Sequence, residues 1–274
     1  MNDQTTQSTG WQLDRSAPEA YERYLVPPIF APWAERLLDR TDVGNGDHVL
    51  DVACGTGVVA RHAVARVGET GSVVGLDRNE GMLEVAAQTA TEEQLEIEWR
   101  EGDATELPFS EGQFDVVCCQ QALQFVDDPT AALEEMHRVL ESDGCVALSV
   151  WRPMAYQPGY VVLAEALERH VGEEAGAMMR SPFPTWDEAE LRTVAHDAGF
   201  GEASVAIEIG SVRYPSAAAF VRREAASSPL ADSIRAADRG VRDALVVAVE
   251  DGLEAYTDDD GVVFPMESYA LTLR

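Results

Sequence analysis

The chain contains no lysine. All 20 basic residues are arginine, set against 49 Asp and Glu, for a formal net charge of −29 over 274 residues. A protein that grips a nucleic-acid backbone needs a basic stripe, and none is present, so DNA and RNA are not expected partners. Long apolar runs are missing too. The longest, such as Ala244 to Val249, fall far short of the ~20 residues a spanning helix needs. No apolar stretch follows a basic start either, so neither export nor membrane insertion is expected and the location expected is cytoplasmic. Cysteine is scarce. Cys54, Cys118, Cys119 and Cys145 show no metal-ligand spacing, three lie in apolar runs, and the adjacent Cys118 and Cys119 face opposite sides of a strand. They are expected to be small buried side chains in a reducing environment, and no metal site is expected.

What is present suits a folded α/β protein. The length fits one large domain, or one domain with an insertion, and the chain is 46% hydrophobic. Met1 to Gly10 is polar and expected to fray. Residues 11–40 read as helical, broken at Pro27-Pro28. His48 to Ala53 is a short apolar strand closed by glycines, Val58 to Val67 a helix, and Val73 to Leu76 a strand ending at Asp77. Asn79 to Ala90 reads as a helix with Asn79 as its N-cap. Leu95 to Arg100 alternates as a strand, and Phe114 to Cys119 is largely apolar, as a strand buried on both faces is. Asp128-Pro129 starts a helix that runs to Leu140, and Cys145 to Trp151 is a fifth strand. This alternation implies parallel strands in a doubly wound sheet, with ligands beyond the C-terminal strand ends. Further on, Val161 to His170 and Asp187 to Ala198 read as helices and Ser204 to Ile209 as a sixth strand. Residues 215–257 read as Ala-rich helix broken near Ser227-Ser228-Pro229, and Gly261 to Leu273 as a final strand.

The loop Asp51-Val52-Ala53-Cys54-Gly55-Thr56-Gly57 opens a helix. Its glycines let backbone amides approach a ligand, and the helix N-terminus adds positive potential. With Ala60 it also fits Gly-x-Gly-x-x-Ala, so an NAD-binding oxidoreductase is the rival reading. Asp51 favours a different ligand. A carboxylate inside the loop is a poor neighbour for a pyrophosphate and a good one for an ammonium or sulfonium; bracing of the loop is its alternative role. Asp77, at the end of the second strand, is placed to accept both hydroxyls of a ribose.

Other segments follow in order: Gly75-Leu76-Asp77, Gly81-Met82-Leu83, Gly102-Asp103-Ala104-Thr105-Glu106-Leu107-Pro108-Phe109, Phe114-Asp115-Val116-Val117, Arg138-Val139-Leu140 and Asp143-Gly144-Cys145. Together with the loop they resemble the class I S-adenosylmethionine-dependent methyltransferases, of the small-molecule group that includes the quinone-biosynthesis enzymes. The resemblance covers about residues 45–151. It implies a seven-stranded, mostly parallel sheet with strand 261–273 antiparallel beside the fifth. It implies S-adenosylmethionine as cofactor, with Asp51, Ala53, Gly55 and Gly57 at its methionine part and Asp77 on its ribose. Arg78 and Met82 would then line the adenine pocket, Asp103 and Ala104 would meet the ring's edge, and Gln120 would close the methionine end. The reading is methyl transfer to a small-molecule acceptor. A non-catalytic S-adenosylmethionine-binding protein is the alternative, and the oxidoreductase a weaker one, since it leaves Asp51 and Gly102-Asp103-Ala104 unexplained.

The acceptor side is less marked. Tyr21 and Tyr24 share a helical face and, with Trp33, suit either a lid or a core. Gln121 and Gln124 follow the fourth strand, where an amide-methylating motif is missing. Arg152 ends the fifth strand, to meet an acidic acceptor or a surface acid. None of the five histidines stands out as a base. The expected organisation is a helical lid over 1–40, a cofactor-binding core over 41–151, and 152–274 completing the core through strands near 204–209 and 261–273, with helical cap insertions. Monomer and homodimer both stay open. The acids are spread along the chain, and this lysine-free composition resembles that of proteins from salt-in halophilic archaea.

Overall fold

The computed structural model describes residues 16–228 and 230–274; the expected frayed tail, Met1 to Gly10, lies outside the described residues. Helix α1 (Ser16–Tyr24) leads into a wide π-type turn, Val26–Phe30, and then α2 (Ala31–Leu38). Pro27 and Pro28 have no amide hydrogen to give, so the first backbone donors past them, Ile29 and Phe30, both reach back to the Leu25 carbonyl. The chain therefore widens its helix where a break was expected.

The core alternates as the sequence predicts: β1 (His48–Val52), α3 (Val58–Val67), β2 (Ser72–Asp77), α4 (Glu80–Glu92), β3 (Glu98–Glu101), β4 (Phe114–Gln120), α5 (Pro129–Val139) and β5 (Leu140–Trp151). Asn79 caps α4 by accepting from the Met82 amide, and Asp128 caps α5 by accepting from Ala131. There follow α6 (Pro158–His170), α7 (Glu173–Arg180), α8 (Glu188–Asp197), β6 (Ala203–Tyr214), α9 (Ala217–Ala226), α10 (Leu230–Ala236), α11 (Arg239–Gly252), a two-residue strand β7 (Thr257–Asp258) and β8 (Gly261–Leu273). Helix α7 was not expected. The third strand begins three residues late, because Leu95 still bonds to Ala90 at the end of α4.

The strands line up as β3-β2-β1-β4-β5-β8-β6, with β7 paired only to β8. β1 to β5 are parallel, and β8 lies antiparallel between β5 and β6, as expected for the last strand. The order reverses between β1 and β4, which opens a crevice at their C-terminal ends. One face buries Val49, Cys118 and Ala147 under α2 and α3; the other buries Leu50, Val117 and Leu148 under α5 and α8. Cys118 and its neighbour Cys119 point to opposite faces, and all four cysteines are buried and free.

The β6–β8 ladder runs from Ala203↔Leu273 to Tyr214↔Val262, whereas β5 pairs with β8 only as far as Trp151↔Ser268. The stretches 209–214 and 262–267 therefore project past the sheet and form a wall. Val212, Tyr214, Val262, Phe264 and Met266 from this wall join α6, α7, α9 and α11 in a separate cap core. The expected strand ended at Ile209 because its pattern changes phase there. Ile207 and Ile209 are exposed, Val212 and Tyr214 are buried, and the switch falls at Gly210, where a side chain would press into Trp33.

Candidate active site

Segments following β1, β2, β3 and β4 surround a cavity of about 1140 Å³ that continues under α1, the Val26–Phe30 turn and the cap. Its polar half is built from the strand ends. Ala53 (φ 53°) and Gly55 (φ 55°) take the left-handed conformation, and Gly57 (φ 80°) does so as the residue before α3. The two glycines serve different ends. A Cβ at Gly55 would meet nothing within 4 Å, whereas one at Gly57 would stand 2.3 Å from the Trp99 ring. Gly55 thus keeps space open beside the cavity. Gly57 does not line it; with Gly75, it makes room for Trp99 on β3, a contact that no sequence pattern marked.

Asp51 is 1% exposed, and its two oxygens have different fates. Oδ2 accepts from the Ala60 amide at 3.0 Å and so braces the first turn of α3. Oδ1 is buried with no partner. Burial, more than the nearby Asp77, pushes the Asp51 carboxyl up to about 8. Asp77 ties the loop to β2: its Oδ2 accepts from Gly55 N–H and its Oδ1 from Asn79 N–H, each at 2.8 Å, and burial raises its pKa. Arg78 and Met82 follow along the same wall.

The turn after β3 carries Asp103, whose Oδ1 accepts from the Thr105 hydroxyl and amide; these bonds hold its carboxyl below the usual range. Ala104 is buried beside it. The turn is held from behind. Leu107 N–H donates to Glu135, while Arg138 donates to the carbonyls of Leu107 and Phe109 and to Glu135. Leu107-Pro108-Phe109 and Arg138 are therefore two sides of one latch. Gln120 lines the cavity and donates to the Phe30 carbonyl at 3.0 Å, fastening the Val26–Phe30 turn to the end of β4.

The other half of the cavity is apolar: Leu25, Ile29, Phe30, Trp151, Met179, Phe183 and Met266 line it, with Tyr21 and Tyr160. One acid stands among them. Glu224 of α9 is 3% exposed, and its Oε1 accepts from the hydroxyls of Tyr160 (2.9 Å) and Tyr214 (2.8 Å). Burial pushes its carboxyl up to about 7, against the lowering effect of the two phenols. The sequence reading missed Glu224. The available signal was its spacing of four and three from Phe220 and Val221, which puts it on the buried face of an apolar helix.

Of the acceptor candidates, Tyr21 and Gln121 line the cavity, and Gln121 donates to Ser268 while its buried Oε1 has no partner. Three others belong elsewhere. Tyr24 lies beside the guanidinium groups of Arg23 and Arg223, Gln124 donates back to the Gln121 carbonyl, and Arg152 pairs with Glu267 and covers the Tyr156 ring. Each satisfies a nearby partner instead of facing the cavity. Among the described residues no histidine lines it.

Residues 49–144 match the family described as a methyltransferase domain. The demethylmenaquinone methyltransferase of Staphylococcus carnosus is 32% identical over 190 residues, covering 66% of this chain and 78% of that enzyme. The chain belongs to the S-adenosylmethionine-dependent methyltransferases of the quinone-biosynthesis group. The enzyme of the same name from Lactobacillus johnsonii is 36% identical over 118 residues, which cover 42% of this chain and 48% of that enzyme, so the chain spans about half the length of that relative. The solved structure of Haemonchus contortus phosphoethanolamine N-methyltransferase 2 in complex with S-adenosyl-L-methionine shares the fold. It has a TM-score of 0.58 at 18% identity and covers 96% of this chain and 58% of that one. The site fits S-adenosylmethionine, the family's cofactor, on two counts. Asp51 Oδ1 is a buried carboxyl oxygen with no hydrogen-bond partner in the protein, free to take a cationic amino-acid end, and the space beside Gly55 is one that any side chain would enter.

Proposed function

We propose that the chain transfers a methyl group from S-adenosylmethionine to a small, apolar, quinone-type acceptor held under the cap. The observation that carries this reading is the continuity of one cavity from the Asp51 and Asp77 loop to the aromatic wall of Tyr160, Phe183 and Trp151. Asp51 Oδ1 and the Ala53 carbonyl would hold the methionine ammonium, Gly55 would let the backbone pass close by, and Gln120 closes that end by fastening the Val26–Phe30 turn. Gly57 supports the loop from behind. Asp77 would accept hydrogen bonds from the ribose hydroxyls. Arg78 and Met82 would flank the adenine, and Asp103 and the Ala104 amide would hold its edge. When bound, the cofactor supplies a methyl already activated by its sulfonium. The chain's task is then to aim the acceptor and exclude water, which the aromatic wall does. The quinone-type acceptor is drawn from the names of the relatives and from that wall.

The test is direct. Protein in about 2 M potassium chloride is given methyl-labelled S-adenosylmethionine and 1,4-dihydroxynaphthalene under a reductant, with label expected in the organic extract. Failure to bind S-adenosylmethionine in equilibrium dialysis would overturn the reading. The salt is part of the proposal: the net charge of −29 without lysine supports adaptation to a high-salt interior.

A further inference from the structure

The most unusual group in the acceptor half is a carboxyl in an otherwise apolar cavity. Isolated carboxylates are costly to bury and are kept only where partners or function require them. Glu224 has partners, but they engage one oxygen: Tyr160 and Tyr214 both donate to Oε1. Oε2 accepts from no described residue, and Glu224 lines the cavity. The two phenols come from α6 and from the part of β6 that projects past the sheet, so they fix the carboxyl from two directions.

We propose that Glu224 Oε2 accepts the hydroxyl proton of the acceptor and acts as its general base. This rests on the methyl-transfer reading above. The acceptor is thereby a planar apolar molecule bearing an ionisable hydroxyl, a phenol or quinol. The O–H bond breaks and its proton passes to Glu224. The electron pair left on the conjugated oxyanion forms the new bond to the methyl carbon while the methyl–sulfur bond breaks, its pair remaining on sulfur. Where the bond forms at a ring carbon, the hydrogen on that carbon moves to the oxygen. Glu224 then releases its proton to water.

The surroundings suit a group that must gain and lose a proton near neutrality. Burial raises the carboxyl and only the two phenols oppose it. Helices α10 and α11 pack on α9 and place Leu230, Leu245 and Val249 in the cap core. Tyr21 of α1 acts on Tyr160, and the Arg223 guanidinium lies 5.9 Å from the Tyr214 ring. No arginine is among the causes of the Glu224 shift.

The experiment is calorimetric binding of 1-naphthol and its methyl ether, 1-methoxynaphthalene, to protein saturated with S-adenosylhomocysteine. A site built to take a hydroxyl proton rejects the ligand that lacks it. The wild type is expected to prefer the naphthol by about tenfold or more at pH about 8, with the preference fading as pH falls through about 7. Glu224→Gln keeps its shape and its oxygen for the two phenols but turns an NH₂ donor toward the cavity. It is expected to bring the ratio to about one while S-adenosylmethionine affinity stays within about twofold. Tyr160→Phe removes a bond that lowers the carboxyl, so the fade is expected to move to higher pH. No hydroxyl preference in the wild type, or an equal one in Glu224→Gln, overturns the proposal. A preference that depends on Glu224, with no methyl reaching 1-naphthol or 1,4-dihydroxynaphthalene, supports hydroxyl recognition and counts against the methyl-transfer reading instead.

Discussion

Two glycines one residue apart have opposite loads. Both sit at positive φ, yet a Cβ at Gly55 enters open space and one at Gly57 enters the Trp99 ring. Gly55→Ala is expected to cost about 1 kcal/mol of stability from backbone strain but to weaken S-adenosylmethionine binding by tenfold or more, as a side chain fills the cavity. Gly57→Ala is expected to reverse the order, with the larger loss in thermal stability; equal behaviour of the two variants would remove the distinction. The neighbouring Asp51 offers a sharper readout. With its carboxyl at about 8 it is largely protonated at neutral pH, and a cationic ligand placed against it should drive that proton off. Titrations with S-adenosylmethionine in phosphate and in Tris should therefore differ in apparent enthalpy by up to about one proton per site. Equal enthalpies would take Asp51 away from the ammonium. Asp51 and Glu224 also both hold their protons more tightly when folded than when unfolded. The stability this gives is complete below their ordinary values, 3.8 for Asp51 and 4.5 for Glu224, and is lost as pH rises through about 8 and about 7 respectively. Melting temperature should fall over that window, and Asp51→Asn combined with Glu224→Gln should flatten the fall.

At the scale of elements, the cavity's roof is held by few polar ties. Arg61 of α3 is 8% exposed; it pairs with Glu22 of α1 at 2.7 Å and also donates to the Thr56 carbonyl. It thus joins the glycine loop to the first helix. Glu22→Ala leaves that guanidinium without its nearest carboxylate and frees α1, where Tyr21 lines the site. Faster limited proteolysis near residues 24–31 and S-adenosylmethionine affinity weaker by about fivefold are expected, and unchanged proteolysis would show that α1 is held by packing alone. Such ties explain which parts of the molecule the sequence disclosed. The parallel core was legible because β1, β2, β4 and β5 are largely apolar runs ended by turns and β3 alternates, and the glycine loop because its glycines and acids stand at strand ends. Beyond residue 151 the signals weaken. The apolar positions of β6 switch faces at Gly210 although its ladder runs on unbroken, Glu224 is hidden on an Ala-rich helix, and Trp99 matters through contacts with Gly57 and Gly75 that are distant in the chain. Each depends on what lies opposite in space, which local pattern does not record.

For the whole molecule, the dominant quantity is the net charge of −29 on 274 residues. Self-repulsion of that size opposes a compact state unless it is screened, and the Debye length shrinks from ~10 Å at 0.1 M salt to ~3 Å at 1 M. The melting temperature is expected to rise steadily from about 0.1 to 2 M potassium chloride; a flat response would argue against the high-salt proposal. The placement of β8 has a kinetic consequence as well. β6 reaches the sheet only through β8, and β5 ends as an open edge until β8 arrives. Three helices, α9 to α11, are made in the interval between those strands. A growing chain is therefore expected to carry an unpaired β6 and an uncovered β5 edge until β8 has been made. Insertion of β8 between β5 and β6 is therefore expected to be a slow, long-range folding step, with the β5 edge open to edge-to-edge association until it is made.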